Sequence, residues 1–275
     1  VIGENGATTI TSDDKGHAVS IAIPYGTYVV VESKTPHNMK TIKPFEVKIS
    51  ENHPDKPQTW RVFLDREFTA KLRVIKKDSD TKQTVLVPNA EFKIFNIDKN
   101  EYVKQYTTYP SKVEHTSFFT DEDGDLILPE ALKIGNYRIE EVKAPFGYVV
   151  NDNYINISVD TDTAFETDGD TNDAIITVEY SDAPAVGELT VEKKGEVLDG
   201  FKGGLFANSE DKEFVYKEGS LAGAVFKVYA AEDIFTADNQ KDADGNRIKY
   251  YSKGDLVATL TTGKDGKAVA KNLPL

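Results

Sequence analysis

Three side chains able to do chemistry fall where strand alternation would bury them. Lys76 is in phase with Leu72 and Val74, Glu141 with Tyr137 and Ile139, and Asp182 with Ile176, Val178 and Tyr180. Arg73, Ile75 and Lys77, then Arg138 and Glu140, then Thr177, Glu179 and Ser181 take the opposite faces. An amine and two carboxyls are therefore expected to point inward from three strands. Burying an unpaired charge is very costly, so such groups form hydrogen-bonded ion pairs, change their protonation state, or react. An apolar setting pushes an amine towards its neutral, nucleophilic form and a carboxyl towards its protonated one, which is what proton transfer and nucleophilic attack require. The same three groups could also form only a buried salt-bridge cluster, or Lys76 could carry its ammonium to the sheet edge.

Other polar patterns point to less. Asp121, Asp123 and Asp125 alternate as in calcium loops, but no glutamate completes an EF-hand, and acidic hairpin turns are common, so a plain turn is expected. The acidic run from Asp160 to Asp173 reads as a solvated loop between strands. His17, His37, His53 and His115 lack paired metal-ligand spacing. The chain has no nucleophile-elbow, phosphate-loop or dinucleotide fingerprint. No metal, cofactor or multiple-turnover activity is expected.

The elements that would position the three groups are short strands of β-branched and aromatic residues: Tyr28 to Glu32, Trp60 to Leu64, Leu72 to Ile75, Phe92 to Phe95, Tyr148 to Val150, Tyr154 to Val159, Ile175 to Tyr180 and Val225 to Tyr229. Turn clusters such as Asp123-Gly124-Asp125 and Lys264-Asp265-Gly266 separate them, and long helical periodicity is absent. The expected class is all-β, built as sandwiches. Internal repeats divide the chain. Residues 12–36 parallel 120–145 as acidic turn, Gly, strand, Gly-x-Tyr, Glu, Pro; LRVIKKD at 72–78 matches LTVEKKG at 189–195, and PNAEFKIF at 88–95 matches AGAVFKVY at 222–229. Three units result: 1–69, expected to lack its first strand; 70–184, complete; and 185–275, expected to stop before its second half. An insertion is expected around Asp199 to Lys217.

Length and charge agree with several folded units and restrict the partners. The 275 residues carry 33 Lys+Arg against 46 Asp+Glu, a formal charge of −13, which disfavours nucleic acid and anionic membrane surfaces. With no cysteine there is no disulfide framework and no thiolate metal site, so extra covalent stability would need other chemistry. No run of eighteen apolar residues is present, so no membrane insertion is expected within the sequence, and any targeting or anchoring segment is expected to lie outside it.

The strings VIKKD at 74–78, NAEFKIF at 89–95, TDEDG at 120–124 and above all GNYRIEEVKAPFGY at 135–148 resemble the Cna B-type, or SpaA-like, domains of Gram-positive surface adhesins and pilins. The last string resembles that family's E-box. The resemblance spans essentially the whole chain in three register-matched copies. It implies tandem Greek-key β-sandwiches of prealbumin-like fold, and in the middle unit an intramolecular isopeptide bond between Lys76 and Asp182 with Glu141 as proton shuttle. In the first unit it maps the glutamate to Glu32 and the acceptor to Asp65, although Asp65 shares its face with Arg61 and Phe63 rather than with Trp60, Val62 and Leu64, so a bulge would be needed. In the third unit it maps only the lysine, Lys193, whose partners would lie beyond the sequence. The implied role is a structural stalk or spacer of a secreted, cell-wall-attached surface protein, whose partners are its neighbouring domains. The alternative is a ligand-binding adhesin module that recognises a host matrix protein or glycan, and a further one is an accessory module flanking an enzyme.

Overall fold

The computed structural model describes residues 9–50, 62–203 and 213–275, and every regular element among them is a strand. Two sheets face each other across the middle of the chain. One orders Leu132–Lys133, Thr69–Asp78, Ala174–Pro184 and Tyr148–Val149, with Asp125–Ile127 and Glu166–Thr167 added alongside. The other orders Ile155–Val159, Gly135–Lys143, Glu91–Asn96 and Glu101–Tyr102, with Phe118–Phe119 added. Alternation decides which side chains fill the space between: Leu72, Val74, Ile176 and Tyr180 from one sheet meet Phe92, Ile94, Tyr137 and Ile139 from the other, all buried. Phe92 and Tyr180 close the two layers with an edge-on ring contact at 5.1 Å.

The first and last strands of this sandwich lie side by side and parallel, in register from Ala70 beside Ala174 to Asp78 beside Asp182. Chain therefore enters at one end of the pair and leaves at the other. The turn at Gly124 braces this pair. Its carbonyl accepts the Lys76 N–H at 2.9 Å, its φ is +74°, and any β-carbon there would collide with the Val85 carbonyl oxygen. The third region repeats the device, since Lys193 N–H donates to Gly266 at 2.7 Å, Gly266 also has φ +74°, and its β-carbon would lie 2.6 Å from the Lys193 carbonyl oxygen.

Beyond the sandwich, Gly26–Val30 pairs with Phe45–Ile49 on one side, and on the other Val186–Glu192 pairs with Lys267–Pro274 and Val225–Tyr229 with Leu256–Thr261 around Leu260, Ala268 and Ala270. The insertion expected around Asp199 to Lys217 is a hairpin of Lys194–Lys202 with Glu213–Ser220. It replaces a tight turn, because Leu221 N–H returns to the Lys193 carbonyl as Val85 N–H returns to that of Lys76. Its residues 204–212 lie outside the described set.

The strand expected over Trp60 to Leu64 is corrected in its described part. Trp60 and Arg61 lie outside the described residues, and Val62, Phe63 and Leu64 join no ladder. Phe63 packs its ring 4.3 Å from that of Phe45, while Val62 and Leu64 are 85% and 86% exposed. Among the described residues no strand runs beside this segment, so alternation has no sheet to act on.

Candidate functional site

Lys76, Glu141 and Asp182, each expected to point inward, meet at one point of the core. Lys76 and Asp182 come from the parallel first and last strands, and Glu141 comes from the facing sheet, beside Phe92. All three side chains are wholly withdrawn from solvent. Lys76 Nζ lies 2.8 Å from Glu141 Oε1 and in close contact with Asp182 Oδ1. The ammonium position is walled by aromatic faces, 4.6 Å from the Tyr180 ring centre and 5.6 Å from that of Phe92. Its surroundings are the buried apolar core of the sandwich.

The three groups form a buried ion-pair cluster. Lys76 Nζ, Glu141 Oε1 and both carboxyl oxygens of Asp182 are buried with no hydrogen-bond partner outside that cluster. A stable buried ion pair needs its lone pairs and protons satisfied to offset desolvation, and here the cluster's own members are the only groups that do so for these four atoms. Burial is also the main reason that the Asp182 carboxyl is pushed up to about 7, against the opposing pull of Lys76 and with a smaller push from Glu141. At neutral pH Asp182 is thus poised between acid and carboxylate. A protonated acid is the electrophilic form of that group.

A second buried polar group lies beside the first. Asp78, next on the Leu72, Val74, Lys76 face, is fully buried and sits in register with Asp182. Three donors satisfy its carboxylate: the Tyr148 hydroxyl at 2.7 Å and the N–H groups of Asp80 at 2.7 Å and Thr81 at 2.9 Å. The Tyr148 hydroxyl is held well above its ordinary range, first by burial and then by that bond. Strand parity could have found Asp78, since it continues the inward face by one step.

The same end of the sandwich receives a loop from the third region. Asp238, also buried, accepts from Thr81 Oγ1 at 3.2 Å, its carbonyl accepts Leu86 N–H at 2.9 Å, and Gln240 Nε2 donates to the Thr84 carbonyl at 2.7 Å. Ala237 packs against Val85, Ala144 and Tyr148. No sequence signal foretold this joint, because its partners are more than 150 residues apart.

The remaining expected site residues are not gathered in this way. Glu32 is half-buried and its Oε2 accepts the Ile42 N–H at 2.9 Å, while Asp65 is exposed. Lys193 is exposed as well. Asp121 builds its turn by accepting the N–H groups of Asp123 and Asp125 at 3.0 Å, and Asp125 pairs with Arg73. Asp160 and Asp168 likewise cap their own loop, His37 and His115 contact Thr161 and Thr107, and His53 lies outside the described residues. Among the described residues no group of three or more His, Cys, Asp or Glu is arranged to hold a metal ion.

Comparison with known sequences gives a match to the model of the SpaA family, described as a prealbumin-like fold domain, over residues 2–61 and 70–174. No curated protein matches the chain. Among solved structures, the Bacillus anthracis TIE protein is 23% identical over 98% of this chain and 38% of its own, with a TM-score of 0.42. The group B streptococcus pilus 2b backbone protein is 19% identical over 56% of this chain and 52% of its own, with a TM-score of 0.34. The shaft pilin SpaA from Lactobacillus rhamnosus GG is 17% identical over 64% of this chain and 69% of its own, with a TM-score of 0.32. The chain therefore spans well under two thirds of the length of the first two solved structures it matches.

Proposed function

The chain belongs to the SpaA family of prealbumin-like fold domains, and on that premise we propose that it is a tension-bearing stalk segment of a cell-wall-attached surface adhesin or pilin, clamped by an isopeptide bond between Lys76 and Asp182. The observation that carries the reading is the contact of Lys76 with Asp182 and Glu141 at full burial in the apolar core. In the reaction the Lys76 amine attacks the carboxyl carbon of Asp182. Glu141 takes the proton that the nitrogen gives up and delivers one to the departing hydroxyl, so a C–N bond replaces a C–O bond and one water leaves. Each molecule reacts once. The product is a neutral amide, which the apolar core tolerates far better than the amine and carboxyl it replaces, while Glu141 remains as a single carboxyl.

On this reading the chain divides into units 1–69, 70–184 and 185–275, of which the middle one carries the bond. The matching Gly124–Lys76 and Gly266–Lys193 bonds support equating Lys193 with Lys76. Glu32 and Asp65 stand as the corresponding positions of the first unit. The partners are the adjoining units of the same chain, and the setting is extracellular, where a cysteine-free staple does not depend on redox state.

Intact-mass spectrometry tests the proposal. Wild-type protein is expected one water lighter than its sequence, with Lys76→Ala and Glu141→Ala at full mass. Full mass in the wild type would overturn it. A second reading, recognition of a host matrix protein or glycan, draws on the inserted hairpin, where Leu198 and Tyr216 form one cross-strand pair and Phe201 and Phe214 another, all more than half exposed. Binding to a matrix-protein or glycan array that disappears when residues 194–220 are replaced by a short turn would favour it.

A further inference from the structure

Asn151 bonds to both strands that carry the carboxyl groups, those of Glu141 and Asp182, although it contacts neither reacting atom. Its backbone N–H donates to Glu141 Oε2 at 3.0 Å. Its side-chain Nδ2 donates to the carbonyl of Ser181, the residue before Asp182, at 2.8 Å. The hydroxyl of Tyr180 is shared between the carbonyls of Asn153 and, at 3.0 Å, Asn151, and the ring of Tyr180 lies under the Lys76 ammonium. Asn151 Oδ1 accepts the Asn153 N–H at 3.0 Å, which shapes the turn that carries these contacts.

We propose that Asn151 is a positioning residue for the cross-link, a latch that fixes the Glu141 carboxyl against Lys76 by tethering the backbone donor of residue 151 to the strand of Asp182. The proposal rests on the cross-linking reading above. Its logic lies in how the two oxygens of Glu141 are used. Oε1 faces Lys76 at 2.8 Å, and Oε2 is held by Asn151 N–H, so the carboxyl cannot turn away from the amine without losing a hydrogen bond. Any residue at 151 other than proline would supply that N–H. Only a side chain with a donor of this length ties it to Ser181, and the tie sets the distance between the glutamate of one sheet and the aspartate of the other. Proton transfer from the amine to the departing hydroxyl needs that distance held to a fraction of an ångström.

The test follows the mass of the full chain after dilution from denaturant, in the wild type and in Asn151→Ala and Asn151→Asp. The aspartate keeps an acceptor for Asn153 and cannot donate to Ser181, so both variants are expected to lose water on the order of 10-fold to 100-fold more slowly than wild type while regaining the same circular dichroism. Either variant cross-linking at the wild-type rate would overturn the latch while leaving the isopeptide reading intact. A role confined to folding is separated by Lys76→Arg, which keeps a cation and cannot form the bond. In that background the residue 151 amide is expected to be protected from hydrogen exchange, and the protection is expected to fall when Asn151→Ala is added. If wild-type protein never loses water, the isopeptide reading fails, and the exchange experiment still decides the latch: unchanged protection in the double variant would overturn it.

Discussion

Tension applied to the two ends of the middle unit meets the parallel pair Thr69–Asp78 and Ala174–Pro184 at opposite ends, so it shears the pair along its whole register. With Lys76 joined to Asp182, the load crosses between the strands through one covalent bond and the chain between them carries none. That shielded stretch is 182 − 76 = 106 residue steps. At about 3.5 Å per extended residue it would add about 370 Å of length if released. Folded, the two α-carbons lie on adjacent strands two residues out of register, about 8 Å apart. The net difference is thus about 360 Å. Glu141→Gln keeps the side-chain volume and removes the proton shuttle, so it is expected to leave the bond unformed. In single-molecule pulling of the full chain from its termini, the fully extended wild type should be shorter than Glu141→Gln by about 360 Å. Equal extended lengths would refute both the bond and the force path drawn from it.

Bond formation should depend on pH through Asp182. Its folded value, about 7, lies above the ordinary carboxylate value of 3.8, so the folded, unlinked chain holds this proton more tightly than the unfolded chain. The stability that this proton lends is full below about pH 4 and lost as pH rises through about 7. Initial rates of water loss after refolding should accordingly decline above about pH 7, and a rate that climbs steadily to about pH 9 would contradict the protonated aspartate as electrophile. Tyr148→Phe removes one of the three donors to buried Asp78 and is expected to destabilise the chain by about 1–3 kcal/mol in denaturant titration; a cost below about 0.5 kcal/mol would show that water or a rearranged donor replaces the hydroxyl. The pair Asp238→Ala and Gln240→Ala should release the loop of the third region, seen as faster amide exchange at Leu86 with the exchange of Val74 and Ile139 unchanged. Protection at Leu86 equal to that of the wild type would mean that the joint does not depend on those side chains.

The sequence made the site legible because each of its strands buries one face and exposes the other. Lys76, Glu141 and Asp182 each follow apolar residues at steps of two, and the observed burial alternates with that period along the Lys76 and Glu141 strands. Asp78 obeyed the same rule and was within reach of the same argument. Asn151 was not, since its grip on Glu141 runs through a backbone N–H in a loop, and a backbone donor leaves no mark on composition or periodicity. Trp60 to Leu64 shows the converse failure. Alternating apolar residues signal a strand only when a neighbouring strand completes the ladder, and Val62 and Leu64 stand exposed where none does. The inserted hairpin begins at Lys194, ahead of the expected Asp199, because Lys194 and Gly195 still match the repeated string at 189–195 and so hide the departure.

The placement of the reactive cluster explains why folding and cross-linking can be coupled in one step. Before reaction, closing the core around Lys76, Glu141 and Asp182 strips water from three ionisable groups, a cost that their mutual contacts must offset. The same closure holds amine and carboxyl in contact, excludes the water that would hydrate them, and raises the fraction of Asp182 in its acid form. On the proposed cross-link, reaction would then replace the amine and carboxyl with a neutral amide and expel the water formed. Closing a loop of 106 residue steps would contribute on the order of 4 to 5 kcal/mol by restricting the unfolded chain. On that proposal the cost of burying the cluster and the stability of the linked unit are successive states of the same three side chains, and a variant that relieves the first by replacing Lys76 or Asp182 with an apolar residue would give up the second.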